Sequence, residues 1–295
     1  MGKKIAMDHI LIDPSDQRRI LDFRPLGFRD VAVLGRYSYA TAHGALEDHS
    51  HGEMLEICFL ESGEQTYVVG GTEYRLTGGD LFVTFPGEVH GTGHTPEGKG
   101  RLYWMLLFVP KGNRGFLALQ PAEARELIDQ LLRLPRQFRA AGDLKKTLDR
   151  IFEVFDRRDA PLRVADLRNL LLRFLLDVLD SAGRREPGLS PEMQQVCRFI
   201  QENLAESLTV RQLARLVHLS QSRLKARFKA EVGIPPADYV MRQRVARAKE
   251  LLHDTDMTVC DLSLGLGFST PQYFSTVFHR YTGQTPSEFR AARPS

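Results

Sequence analysis

The sequence predicts a multidomain α+β chain: an N-terminal antiparallel β-barrel with helices attached, then an all-α domain carrying two helix-turn-helix units. Three observations predict it. Short β-rich runs punctuated by glycine fill residues 31–108. Apolar residues at helical spacing take over after Pro110. A pattern near residue 210 recurs about fifty residues later. A length of 295 residues suits two domains, or three small ones. With 42% hydrophobic and 26% charged residues, a disordered, collagen-like or disulfide-stapled chain is excluded.

The first residues, through Asp8, carry charge with no apolar stretch behind it, so no signal peptide is expected. Ala6 stands where a myristoylation motif needs Ser or Thr. Strands are expected at 54–60, 65–69, 73–76, 81–85 and 101–108, with turns at Glu61-Ser62-Gly63, Gly70-Gly71 and Gly78-Gly79-Asp80. The longest apolar run, 104–109, is too short for a membrane span of ~20 residues, so no membrane partner is expected. Helices follow at 121–134, 144–155 and 161–179, the last striped by Val164, Leu167, Leu171, Phe174, Leu175 and Val178. A polar hinge over 181–188 has nothing to bury, and Ser190-Pro191-Glu192 starts a helix with a cap and a proline at its first position. The chain therefore divides into a barrel (1–120), a helical connector or dimerisation region (121–182), a linker (183–190) and a C-terminal domain (191–295). Cys58, Cys197 and Cys260 are odd in number and lack a C-x-x-C pair, which fits a reducing cytoplasm.

The repeat lies in the last third. Ser220-x3-Leu224-x3-Phe228-x4-Gly233 returns as Thr270-x3-Phe274-x3-Phe278-x4-Gly283, and Pro236 and Tyr239 answer to Pro286 and Phe289. Thr209 and Ser220 cap the two helices of the first copy, Thr258 and Thr270 those of the second. Ala214 and Ser263 are the small residues where the paired helices cross, and a long helix over 236–252 joins the copies.

Charge points to a polyanion for part of the chain only. Residues 1–110 hold 10 Lys and Arg against 15 Asp and Glu; residues 111–186 hold 16 against 12, and residues 187–295 hold 14 against 10. The stretch 209–230 has six bases (Arg211, Arg215, Arg223, Lys225, Arg227, Lys229) and no acid. With Leu224 and Phe228 inward, Ser222, Lys225, Ala226 and Lys229 share an outward stripe beside Gln221; Gln272, Ser275, Thr276 and His279 do so in the second copy. Such stripes suit successive major grooves of double-stranded DNA, with Lys225 donating to guanine and Gln272 pairing with adenine. Arg211 and the helix N-termini at Thr209 and Thr258 would meet phosphates, and Ser220 and Thr270 complete the DNA-binding candidates. A solvated helix face is the alternative for any single basic helix.

Residues 208–290 resemble the DNA-binding domain of the AraC/XylS family of transcriptional regulators. The resemblance runs through Leu213-Ala214, Leu219-Ser220, Phe228-Lys229, Gly233, Arg244, Ala248, Leu251-Leu252, Gly267-Phe268, Phe274, Phe278, Gly283, Thr285-Pro286 and Phe289-Arg290. It implies a seven-helix domain whose two recognition helices contact adjacent major grooves. Ser263 stands in place of the usual alanine, and Gly265 lies within a helix, where glycine costs ~1 kcal/mol.

The strand region has a second signature: His49-x-His51-x4-Glu56-x6-Gly63, then Gly79-Asp80-x6-Gly87-x2-His90. It resembles the two motifs of the cupin barrel, a jelly-roll fold, over about residues 44–94, although the proline directly precedes Gly87. In metal-dependent cupins the residues matching His49, His51, Glu56 and His90 are ligands, and this donor set suits Zn, Mn, Fe or Ni. Three readings stand open: a catalytic or sensory divalent-metal site, a metal-free interior that binds a small-molecule effector, or histidines merely exposed at a strand start. Tyr37 and Trp104 are candidates for an effector wall, and equally for core filling with Tyr67 and Tyr103.

The expectation is a cytoplasmic regulator, not an enzyme and without an obligatory cofactor, that binds double-stranded DNA under control of a small-molecule effector, with a sugar favoured. The resemblance implies RNA polymerase as a further partner and a homodimer through the helices after the barrel. The 164–178 stripe fits either that interface or packing on its own barrel. The alternative is a metal-dependent cupin enzyme fused to a DNA-binding domain.

Overall fold

The computed structural model of the protein describes residues 17–110, 112, 114–184 and 188–292. Its N-terminal part is an antiparallel sheet of β1 (Arg18–Asp22), β2 (Val31–Tyr39), β3 (Met54–Val69), β4 (Thr72–Thr77), β5 (Asp80–Thr84), β6 (His90–Gly91), β7 (Gly100–Phe108) and β8 (Gln137–Arg139). The order is β1-β2-β7-β3-β5-β8, with β4 and β6 pairing on β3. β3 belongs to both layers: its first half pairs with β5 and β7, its second with β4 and β6. The sheet folds over itself like a jelly roll, but hydrogen bonding does not close it into a ring, so β1 and β8 remain its ends.

Two strand expectations are corrected. Glu61-Ser62-Gly63 is not a turn but lies within β3, where the register against β7 shifts between Leu60 and Ser62. Gly63, at φ 105°, makes that bulge feasible, because a Cβ there would stand 2.4 Å from the Lys99 carbonyl oxygen. β1 and β8 were not expected, one being short and polar and the other three residues inside a helical stretch.

Alternation along β3 organises the packing. Leu55, Ile57 and Phe59 face the helices, while Met54, Cys58 and Leu60 face the interior between the layers. The helices are α1 (Pro121–Leu131), α2 (Leu144–Asp156) and α3 (Arg163–Ala182). Leu167, Leu171, Phe174, Leu175 and Val178 of α3 share one core with Ile57, Met105 and Phe152, so the predicted stripe is buried on the chain's own sheet and is not a dimer interface. The outer side of α3 instead exposes Leu176, 41% accessible, between the half-buried Leu172 and Leu179.

The C-terminal domain has seven helices among the described residues: α4 (Pro191–Glu202), α5 (Val210–Leu216), α6 (Gln221–Val232), α7 (Pro236–Asp254), α8 (Val259–Gly265), α9 (Pro271–Thr282) and α10 (Pro286–Ala291). The centre of the expected linker, residues 185–187, lies outside the described residues, as do residues 1–16. Ser190 caps α4 as its sequence implies. Thr209, Ser220, Thr258 and Thr270 each accept the backbone N–H three residues on, at 3.1–3.2 Å. Gly233 and Gly283 end α6 and α9 in the left-handed region, at φ 87° and 74°. Ser263 is fully buried with its hydroxyl bonded to the Cys260 carbonyl, so it replaces alanine without an unpaired polar group.

Two small cores result, one around Leu224 and Phe228 and one around Phe274 and Phe278, with α7 running through both. No described helix is long and apolar enough to cross a membrane. Phe274→Ala is expected to lower stability by ~3–5 kcal/mol in denaturant unfolding. Gln272→Ala, two residues away on the exposed side, should change it by less than ~0.5 kcal/mol.

Candidate functional site

The DNA-facing candidates fall on two helix faces. On α6, Gln221, Ser222, Lys225, Ala226 and Lys229 are all exposed. On α9, Gln272, Thr276 and His279 are exposed, whereas Ser275 is half-buried and donates to the Pro271 carbonyl. Arg223 and Tyr273, 46% accessible, also stand at the N-terminal ends of these helices. Tyr273 was missed because its ring reads as apolar; its edge rests on Phe268.

Charge is redistributed relative to the sequence reading. Arg227 points back to Glu231 and Glu192, at 2.8 and 3.1 Å, and is withdrawn from any ligand. Arg211, Arg215, Arg223, Lys225 and Lys229 make no ion pair among the described residues. Two cap hydroxyls are already committed as donors: Thr209 to Gln212 Oε1 at 2.8 Å and Thr258 to Asp261 Oδ2 at 2.6 Å. Asp261 also brings an acid to the N-terminus of α8, an end less favourable to an anion than the acid-free first turn of α5.

The second site lies inside the barrel. His49 and His90 face each other across an isolated bridge, each backbone N–H bonded to the other's carbonyl at 2.9 Å. His51 follows two residues on, and the ligand atoms of His49, His51 and His90 all lie within 4.8 Å of one another. Glu56 joins them because it has the parity of Met54 and Cys58 on β3. Its Oε1 is 3.6 Å from His51 Nε2 and its Oε2 is 3.0 Å from His90 Nε2. The longer His51 to Glu56 spacing therefore does not turn the carboxylate out. Glu56 also accepts the Thr84 hydroxyl at 3.0 Å.

Tautomers follow from the outer contacts. His49 Nδ1 meets the Glu47 carbonyl at 2.8 Å and His90 Nδ1 the Glu88 carbonyl at 3.3 Å, so each is placed to donate outward and leave Nε2 facing the centre. His51 and His90 Nε2 are buried and have no hydrogen-bond partner among the described residues, so their contact with Glu56 is one of charge. Burial raises the Glu56 carboxyl, but His51 and His90 outweigh it and hold the group well below the usual range. Burial likewise lowers His90, yet the Glu56 carboxylate keeps it above its ordinary value, while burial keeps His49 below its own. The centre thus suits a positive charge, supplied by a proton on His90 or by a divalent cation held by all four side chains.

Beside this centre is a chamber lined by Arg18, Tyr37, Tyr67, Glu97 and Trp104 as well as His49, His51 and Glu56, with a volume of only about 40 Å³. Drug-sized ligand pockets run to ~300–1,000 Å³, so this chamber is contracted. Trp104 fills it: its indole lies over Gly35, where a Cβ would come within 2.0 Å of the ring. The Arg18 guanidinium stands 4.9 Å from the indole centroid. Glu97 is raised by burial and receives the Tyr39 hydroxyl at 3.5 Å. Tyr37 and Trp104 are thus both core and wall. Arg18 and Glu97 carried no sequence signal, since β1 was not recognised and Glu97 lies in a loop.

Two family models match the chain. Residues 213–292 match a family model for a helix-turn-helix domain, and residues 30–172 match one for an AraC-like ligand binding domain. The arabinose operon regulatory protein of Escherichia coli (strain K12) is 28% identical over 235 residues, 75% of this chain and 75% of that protein. Its counterpart in Salmonella typhimurium is 29% identical over 243 residues, covering 78% and 80%. The HTH-type transcriptional activator RhaS of Salmonella schwarzengrund is 25% identical over 287 residues, covering 92% and 96%.

Proposed function

Because the chain belongs to the AraC family of DNA-binding transcription regulators, with an N-terminal ligand-binding domain, we propose that a sugar-like polyol entering the barrel controls its grip on double-stranded DNA. The chamber under Trp104 carries this reading. An indole offers a flat face for the C–H side of a sugar ring, and Arg18, Glu97 and Glu56 offer charged partners for hydroxyls. The two relatives named for the arabinose operon support a sugar. To admit a ring the chamber must open, so the ligand selects an expanded form of the barrel.

A second reading rests on the histidines. A divalent cation would take His49, His51, His90 and Glu56 as ligands, and when bound it would supply fixed positive charge that stiffens the site. The relatives' descriptions are of regulators, and the function proposed is regulation rather than catalysis. Activation through RNA polymerase belongs to the same reading, supported by the description of RhaS as an activator. We place the homodimer on the outer side of α3 around the exposed Leu176; sedimentation of Leu176→Glu as a monomer, against a wild-type dimer, checks it.

On DNA, Lys225 reads guanine and Gln272 reads adenine from the exposed faces of α6 and α9, while Arg211 neutralises phosphate. Lys225→Ala should cost ~1–3 kcal/mol at one operator position, measured by duplex selection and anisotropy. Arg211→Ala should weaken all duplexes alike and reduce the salt slope by ~0.9. Unchanged base preference in Lys225→Ala would remove it from the groove.

The effector is tested by titrating sugars and Zn²⁺ into the full-length protein and following emission of Trp104, the single tryptophan. A sugar effector gives a saturable shift. A cation gives binding that weakens at least ~10-fold in His90→Ala. That binding also fades as pH falls, His90 taking up a proton first because Glu56 holds it above its ordinary value, since ligating imidazoles must be neutral. No response to either would leave the chamber without an effector.

A further inference from the structure

The C-terminal caps of both recognition helices rest on the barrel, Gly233 buried and Gly283 half-buried. At the end of α6, Arg139 of β8 donates to the Ala230 carbonyl at 3.0 Å. The backbones of Gly78 and Gly233 touch so closely that a Cβ on either would lie 2.2 Å from the other's carbonyl oxygen. At the end of α9, the Ala42 N–H donates to the Arg280 carbonyl at 2.9 Å, and a Cβ on Gly283 would meet the Ala42 oxygen at 3.6 Å. Gly233 and Gly283 are equivalent positions of the repeat, so the barrel holds the same point on both units.

Between these points the barrel binds α7. Lys99 pairs with Asp238 at 2.9 Å, and Arg242 donates to the Lys99 carbonyl at 3.1 Å and lies 3.6 Å from Glu64. Tyr281 of α9 donates to the same Asp238. The α9 anchor and the α7 contact lead to the chamber. Ala42 begins a loop fastened to the 92–97 segment through His43 to Glu97 at 2.9 Å and Leu46 to Thr92 at 2.8 Å, and the loop ends at His49. Lys99 lies two residues from Glu97, a chamber wall.

We propose that the barrel grips both recognition helices by their C-terminal turns, and that this docked form is the low-affinity state which an effector in the chamber releases. The inference rests on the ligand-controlled reading above and adds the contact that transmits it. Docking sets the barrel rim, at Glu61 and Gly78-Gly79, across a narrow cleft from Ala226 and Lys229 of the DNA-facing stripe. A phosphate wall closing on that end of α6 meets the barrel, whose residues through 110 carry five more acids than bases. Widening the chamber around Trp104 strains the 42–49 loop and the Lys99 segment together, loosening the α9 and α7 contacts, and α7, which runs through both small cores, carries α6 away with it.

The test uses full-length Gly78→Ala, which wedges a methyl against Gly233, and the double variant Lys99→Ala/Arg139→Ala, which trims side chains on the barrel only. The probe is a duplex selected by the wild-type protein from a random library. Released domains bind it at least fivefold more tightly and show a larger radius of gyration in solution scattering. Equal or weaker binding by folded double variant overturns the proposal, even if Gly78→Ala fails to fold. A wild-type protein that selects no duplex overturns the DNA-binding reading, and this proposal with it.

Discussion

Side-chain parity along β3 is the constraint on which the rest of the structure depends. The strand runs from Met54 to Val69 and serves both layers of the sheet. Its odd positions at 55, 57 and 59 carry the core under α1–α3, and its even positions carry the interior. A one-residue slip would move Glu56 out of the histidine centre and place Ile57 there instead. The bulge after Leu60 then bends the strand, so its far half pairs with β4 and β6 and brings Glu64 to Arg242 of the DNA-binding domain. One strand therefore connects the chamber to the surface that holds the recognition helices.

Burying so many ionisable groups in one small barrel needs compensation. An isolated buried charge costs several kcal/mol, and each group here survives only through a neighbour of opposite sign or a hydrogen bond. Glu56 has two imidazoles and the Thr84 hydroxyl; Glu97 has Tyr39 and the charge of Arg18. Two imidazole nitrogens nevertheless remain without hydrogen bonds. Such a centre is poised to accept a ligand, because the ligand supplies partners that the contracted chamber lacks. Trp104 occupies the space meanwhile, with Gly35 giving it room.

Local features were legible in the sequence, and those made by distant chain segments were not. The four capping hydroxyls, the two glycine C-caps and the inward Leu224, Phe228, Phe274 and Phe278 follow from rules that span a few residues. The three histidines were found as a motif, but Arg18 and Glu97 were not, since their membership depends on a polar edge strand and a loop. Arg227 counted as one of six bases until Glu192 and Glu231 were placed beside it. The α3 stripe was apolar on any reading; only the packing says that Ile57 and Met105, rather than a second copy, cover it. Gly233 is visible in the sequence as a repeat position; its contact with Gly78 joins residues 155 positions apart and is not.

The central claim is that chamber and DNA-reading helices are coupled, and thermodynamic linkage makes that claim reciprocal. The most direct measurement is the ligand's affinity for the full-length wild-type protein, followed through Trp104, with and without saturating duplex. The account predicts that duplex shifts ligand affinity by the same factor by which ligand shifts duplex affinity, a factor of ~5–150 for typical allosteric couplings. Ligand affinity that is identical in the presence and absence of duplex would contradict it.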